Sequence, residues 1–91
     1  MLRAPAPTLP ADDVLALQAL AATIGCDDLG PRFLALTGLD AEGLRARAAE
    51  PALLAELIAF LAAHEASLTR IAGELGVAPA ALVAAGQRLA R

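Results

Sequence analysis

Pro51-Ala52-Leu53-Leu54-Ala55-Glu56-Leu57-Ile58-Ala59-Phe60-Leu61-Ala62-Ala63 holds a single clearly polar side chain, Glu56, in thirteen residues. Wound as a helix, the run is apolar around most of its axis, which predicts a helix covered by neighbours on several sides. Pro51 suits the first helical position, where the amide has no intrahelical acceptor. Residues 51–63 therefore read as the central, most buried helix of a helical domain.

The rest of the chain agrees with that centre. Of 91 residues, 25 are Ala and 18 are Leu, while Val, Ile and Thr are few and Tyr and Trp are absent. This palette forms helices rather than strands. The expected fold is all-α: one compact orthogonal array of five or six short helices, residues 11–91. Residues 1–10 contain Pro5, Pro7 and Pro10 without apolar periodicity, and read as a flexible Pro-rich arm. Pro7-Thr8-Leu9-Pro10 matches only a minimal PxxP pattern.

Working outward from residue 51, each neighbour has its own start and stop. The first helix is expected over about Ala11 to Ile24, with Asp12 and Asp13 at its positive end and Gly25 after it. Val14, Leu17, Leu20, Ala21 and Ile24 fall at helical spacing and are its expected core face. A second helix from Asp27 or Asp28 should turn Leu29, Phe33 and Leu36 inward and stop at Gly38. Asp40 is placed to cap a third, Ala41 to Ala49, with Leu44 and Ala48 inside. Beyond His64 a fifth helix carries Leu68, Ile71, Ala72 and Leu75 to Gly76, and a last one from Pro79 uses Leu82, Val83 and Leu89. Residues 33–48 and 71–86 match at an offset of 38, pairing Gly38 with Gly76 and Leu44 with Leu82. Helical hairpins converge on this pattern because Gly suits the left-handed cap.

Composition narrows the partners. The formal charge is -3 with seven Arg and no Lys, a field that repels phosphate backbones. Phe33 and Phe60 are the only aromatics, too few for a base-stacking platform. Cys26 is alone, so it forms no intramolecular disulfide or multi-cysteine metal site, and a reducing cytoplasm is expected. The prolines interrupt any signal-peptide stretch. The longest uncharged runs, Val14 to Cys26 and Leu75 to Gln87, are 13 residues each, below the ~18 to 20 that span a bilayer. No cofactor, metal or small-molecule ligand is indicated.

Several motifs have both a functional and a plain reading. Ile71 to Val83 resembles the helix-turn-helix of bacterial regulators, with Ala72, Gly76, Val77 and Leu82 at the right spacing. Its second helix, however, begins Ala78-Pro79-Ala80-Ala81, without side chains that read bases. Only Arg70, Arg88 and Arg91 are nearby for phosphates. Cys26 and His64 lie on different elements with no orienting residue assignable, so a catalytic pair is not expected. Asp12 with Asp13 and Asp27 with Asp28 sit at helix starts, where capping explains them better than metal binding. Asp28 with Arg32, Glu42 with Arg45 and Arg70 with Glu74 have the spacing of surface ion pairs.

The run Arg32-Phe33-Leu34-Ala35-Leu36-Thr37-Gly38-Leu39-Asp40, with Leu44-Arg45 and the later Leu75-Gly76-Val77 turn, is similar to the short alphaproteobacterial proteins of the domain-of-unknown-function family 3572. The resemblance covers roughly residues 11 to 90. It implies a small, helical, cytoplasmic protein with no assigned activity, and brings no catalytic residues.

The function expected from all this is a non-enzymatic interaction module or adaptor that binds a protein partner, or itself, through an apolar helix face. Ala80, Ala81, Ala84, Ala85 and Arg88 of the last helix are the expected interface. The alternative is a degenerate helix-turn-helix protein contacting DNA through Arg70, Arg88 and Arg91.

Overall fold

Sharp turn chemistry cuts the described residues into six helices: α1 Asp12–Ile24, α2 Leu29–Thr37, α3 Ala41–Arg47, α4 Pro51–Ala62, α5 Glu65–Leu75 and α6 Pro79–Leu89. The computed structural model describes residues 11–91, and the Pro-rich arm lies outside them. Among the described residues there is no strand, so the all-α expectation stands.

The cuts fall where the residue types require them. Gly38 and Gly76 adopt φ of 73° and 71°, a left-handed conformation that costs an L-residue with a side chain about 1–2 kcal/mol. At Gly76 the Val77 N–H donates to Ala72 O at 3.0 Å and the Gly76 N–H to Gly73 O at 3.2 Å, the paired bonds of a Schellman cap. Gly38 makes the simpler version, one bond to Leu34 O at 2.9 Å. The two matched segments thus share a glycine turn but close it differently. Asp40 Oδ1 accepts from the Gly43 N–H at 2.7 Å, a true N-cap on α3. Pro51 and Pro79 occupy the first turns of α4 and α6.

Gly73, one turn before the α5 cap, has open space where a Cβ would stand. Gly73→Ala should therefore raise stability by about 0.5–1 kcal/mol through helix propensity alone. Urea unfolding followed by circular dichroism checks the sign.

α4 is the centre of the array, as its sequence predicts. It packs against α1, α5 and α6 and buries Leu53, Leu54, Leu57, Ile58 and Leu61. α1 shares that role, touching α2, α4, α5 and α6. α4 and α5 meet at 118°, which swings α5 back across the core. α2 is anchored by Leu29 and Phe33, and α3 by Leu44 alone. No buried side-chain nitrogen or oxygen lacks a hydrogen bond among the described residues.

Several side chains face other ways than their spacing suggests. α1 buries Leu15, Ala16, Ala19, Leu20 and Thr23, while Val14 and Leu17 remain 44% and 37% exposed. The helix has two apolar stripes, and the smaller residues won the core because α4, α5 and α6 all approach it there. Thr23 is admitted because its hydroxyl donates to Ala19 O at 2.7 Å. Leu36 is 63% exposed rather than buried. The inward face of α2 runs through Leu29, Gly30 and Phe33 with Thr37 half-buried, which rolls Leu36 outward. α3 ends at Arg47, and Ala48 is its half-buried C-cap.

None of the three ion pairs expected from helix spacing forms. Instead Arg47 meets Glu50 at 3.0 Å, Arg70 meets Asp28 at 3.4 Å and Arg88 meets Asp12 at 2.8 Å. The last two join distant helices. Asp28 stands at the N-cap position of α2 without capping it, because its backbone is already helical at φ -96° and ψ -37°; its Oδ1 accepts from Cys26 Sγ and from Arg70 instead.

Candidate functional site

The outer side of α4 is a ridge of small residues. Ala59, Ala62 and Ala63 are exposed, Ala55 is half-buried, and Glu56 is its one charge. Burying the five large aliphatics of the same helix inward leaves these alanines facing out, the direct result of its period.

A groove runs along each side of the ridge. Between α4 and α6, a cavity of about 260 Å³ is closed by Val83, Gly86, Gln87 and Ala90. Between α2 and α4, a wider cavity of about 750 Å³ lies among Arg32, Leu36, Glu56, Phe60 and His64. Ala59 lines both, so the two grooves form one surface. Beneath the second, the Phe33 and Phe60 rings pack with centroids 5.3 Å apart and planes tilted by 56°. A third cavity, about 370 Å³, lies between α1 and α3. Its lining includes Leu17, Leu20, Ala21 and Ile24, the stripe whose spacing suggested a core face.

The interface nominated on α6 is dispersed by the fold. Ala85 is fully buried, Ala81 and Ala84 are half-buried, and Ala80 is exposed. Arg88 is engaged with Asp12, Nε to Oδ2 at 2.8 Å and Nη2 to Oδ1 at 2.9 Å. Ala85 belongs to the core because α6 turns Leu82, Ala85 and Gly86 toward α1 and α4. Of the three arginines considered for DNA, Arg70 and Arg88 already hold carboxylates, and Arg91 is exposed. The apolar surface that the fold leaves open gathers Leu36, Phe60 and the α4 alanines instead. The available signal was the run of alanines at positions 55, 59 and 62, one face of an otherwise bulky helix.

Cys26 and His64 are not hydrogen-bonded to one another. Buried Cys26 donates to Asp28 at 2.8 Å, and exposed His64 is the N-cap residue of α5. Among the described residues no three His, Cys, Asp or Glu side chains gather to hold a metal. No single helix among them is long and apolar enough to cross a membrane.

Two carboxyls are held below their usual range. Asp12 is lowered by its hydrogen bonds from Arg88 and then by that cation's charge. Asp28 is lowered first by the Cys26 thiol bond, then by its backbone amide and by Arg70. A group with a depressed folded pKa contributes stability above its unfolded value of about 3.9, and the contribution is lost as pH falls through the folded pKa. The melting temperature should hold between about pH 7 and 5 and drop below about pH 4. An Asp12→Asn, Asp28→Asn double variant should show a shallower drop over the acid range by calorimetry.

A family model described as a protein of unknown function, DUF3572, matches residues 10–91. No curated protein and no solved structure shows significant similarity to the chain.

Proposed function

We propose that this chain, which belongs to the DUF3572 family of proteins of unknown function, is a small non-enzymatic interaction module that binds a protein partner through the apolar face over α4. It works in the cytoplasm, where a lone thiol such as Cys26 stays reduced. The observation that carries this reading is the position of Leu36. Single exposed leucines are ordinary, but this one, 63% exposed, borders a groove continuous with the α4 alanine ridge. Contiguous apolar surface of this kind marks interaction sites. The small side chains of the ridge let a partner helix approach closely.

The helix-turn-helix alternative gains no support from the geometry. α6 is packed on α1 and α4, and two of the three cations that alternative needs are paired with carboxylates.

The test is capture with a tagged chain in three forms: unchanged, Leu36→Glu in the groove, and Gln18→Glu on the exposed side of α1. Capture from nuclease-treated lysate containing untagged chain should yield a near-stoichiometric protein with the unchanged chain and with Gln18→Glu. Leu36→Glu should lose it. Equal recovery with all three forms would remove the α4 face from the proposal, and loss of all bound material on nuclease treatment would favour DNA instead.

A further inference from the structure

Resting on the interaction reading above, the geometry points to a second copy of this chain as the occupant of the groove between α2 and α4. A two-fold interface presents the same patch from both sides, so the patch must be complementary to itself. This groove meets that requirement. It carries one cation, Arg32, and one anion, Glu56, and neither forms an ion pair among the described residues. Asp28, the helical neighbour that Arg32 would otherwise take, is held by Cys26 and Arg70. The chain as a whole carries -3, which opposes association of two copies, but this patch has balanced charge.

The apolar groups repeat the spacing of the charges. Leu36 follows Arg32 by one helical turn on α2, and Phe60 follows Glu56 by one turn on α4. Both offsets are about 6 Å along the axis. Where α2 runs alongside the second copy's α4, Arg32 meets Glu56 of that copy while Leu36 meets its Phe60. The two-fold axis then repeats both contacts. A stable dimer takes about 800 Å² from each copy, near a seventh of the 5529 Å² that each exposes. That area needs about 20 residues a side, so the interface extends from the groove over the adjoining ridge at Ala55, Ala59 and Ala62.

Sedimentation velocity on the full chain over a concentration series up to about 0.5 mM tests this. The unchanged chain should run as a monomer–dimer equilibrium. Arg32→Glu and Glu56→Arg should each weaken dimerisation by about 10-fold or more, because each sets like charges face to face. The double exchange, R32E with E56R, restores both pairs and should return the affinity to near that of the unchanged chain. Both changed positions are exposed, and circular dichroism confirms that the helices persist. A monomer at every concentration, or a double exchange no better than the single ones, overturns the second copy. A monomer that still captures another protein through Leu36 leaves the interaction reading in place, whereas one that captures nothing removes both.

Discussion

Phe33→Ala should cost about 3–5 kcal/mol, the range for truncating a buried aromatic, and lower the melting temperature by at least about 12 °C. Phe33 is fully buried and is one of three buried residues on α2, with Leu29 and Gly30. Its ring meets that of Phe60 at 5.3 Å, a tilted contact worth about 0.5–1.5 kcal/mol beyond area burial. Removing it opens a cavity and also loosens the helix that carries Arg32 and Leu36. A domain of this size has only about 4–12 kcal/mol in total, so a visible unfolded fraction at 37 °C is expected. Phe60→Ala should cost less, because its half-buried ring already touches water. Equal costs for the two would place the anchor of α2 elsewhere.

That asymmetry shows which parts of the fold the residues announce. The ends of helices were legible because they depend on local chemistry: Gly38 and Gly76 for φ, Asp40 for the free amide, Pro51 and Pro79 for the first turn. The central helix was legible because five large aliphatics in twelve residues have no polar alternative. The orientation of α1 was not. Val14, Leu17 and Ala21 make as good an apolar stripe as Leu15, Ala16 and Ala19, and the two lie about half a turn apart. Which stripe is buried depends on how closely α4, α5 and α6 can approach, and the small side chains of Ala16 and Ala19 decide that. The ion pairs failed for a similar reason. Spacing sees only neighbours on one helix, whereas Asp12 and Asp28 found Arg88 and Arg70 across the fold.

The same limit explains why the face expected on α6 is dispersed in the fold. Small residues on α6 suggested a smooth face for a partner, and they do permit close approach, but the helix they admit is α4. Gly86 is the point of contact. A Cβ built there would stand 2.6 Å from Ile58 Cγ2 and 2.9 Å from Ile58 Cβ, inside any tolerable carbon–carbon separation.

Gly86→Ala should therefore destabilise by about 1–2 kcal/mol: both contacts are under 3.0 Å, which puts the overpacking cost at about 2–3 kcal/mol, less about 1 kcal/mol gained in helix propensity. Gly73→Ala, the identical change in open space, has the opposite sign, so propensity cannot account for both. Combining Gly86→Ala with Ile58→Ala should cost less than the two single changes added together, since the new methyl occupies volume the isoleucine has left. Urea midpoints at constant m-value give all three terms of that cycle. The proposed partner face depends on the outcome, because Gly86 and Ile58 also line the groove between α4 and α6. If Gly86→Ala stabilises instead, α4 and α6 stand further apart than this contact requires. The ridge at Ala55, Ala59 and Ala62 would then flank a wider slot, one that accepts a bulky side chain rather than a closely apposed helix.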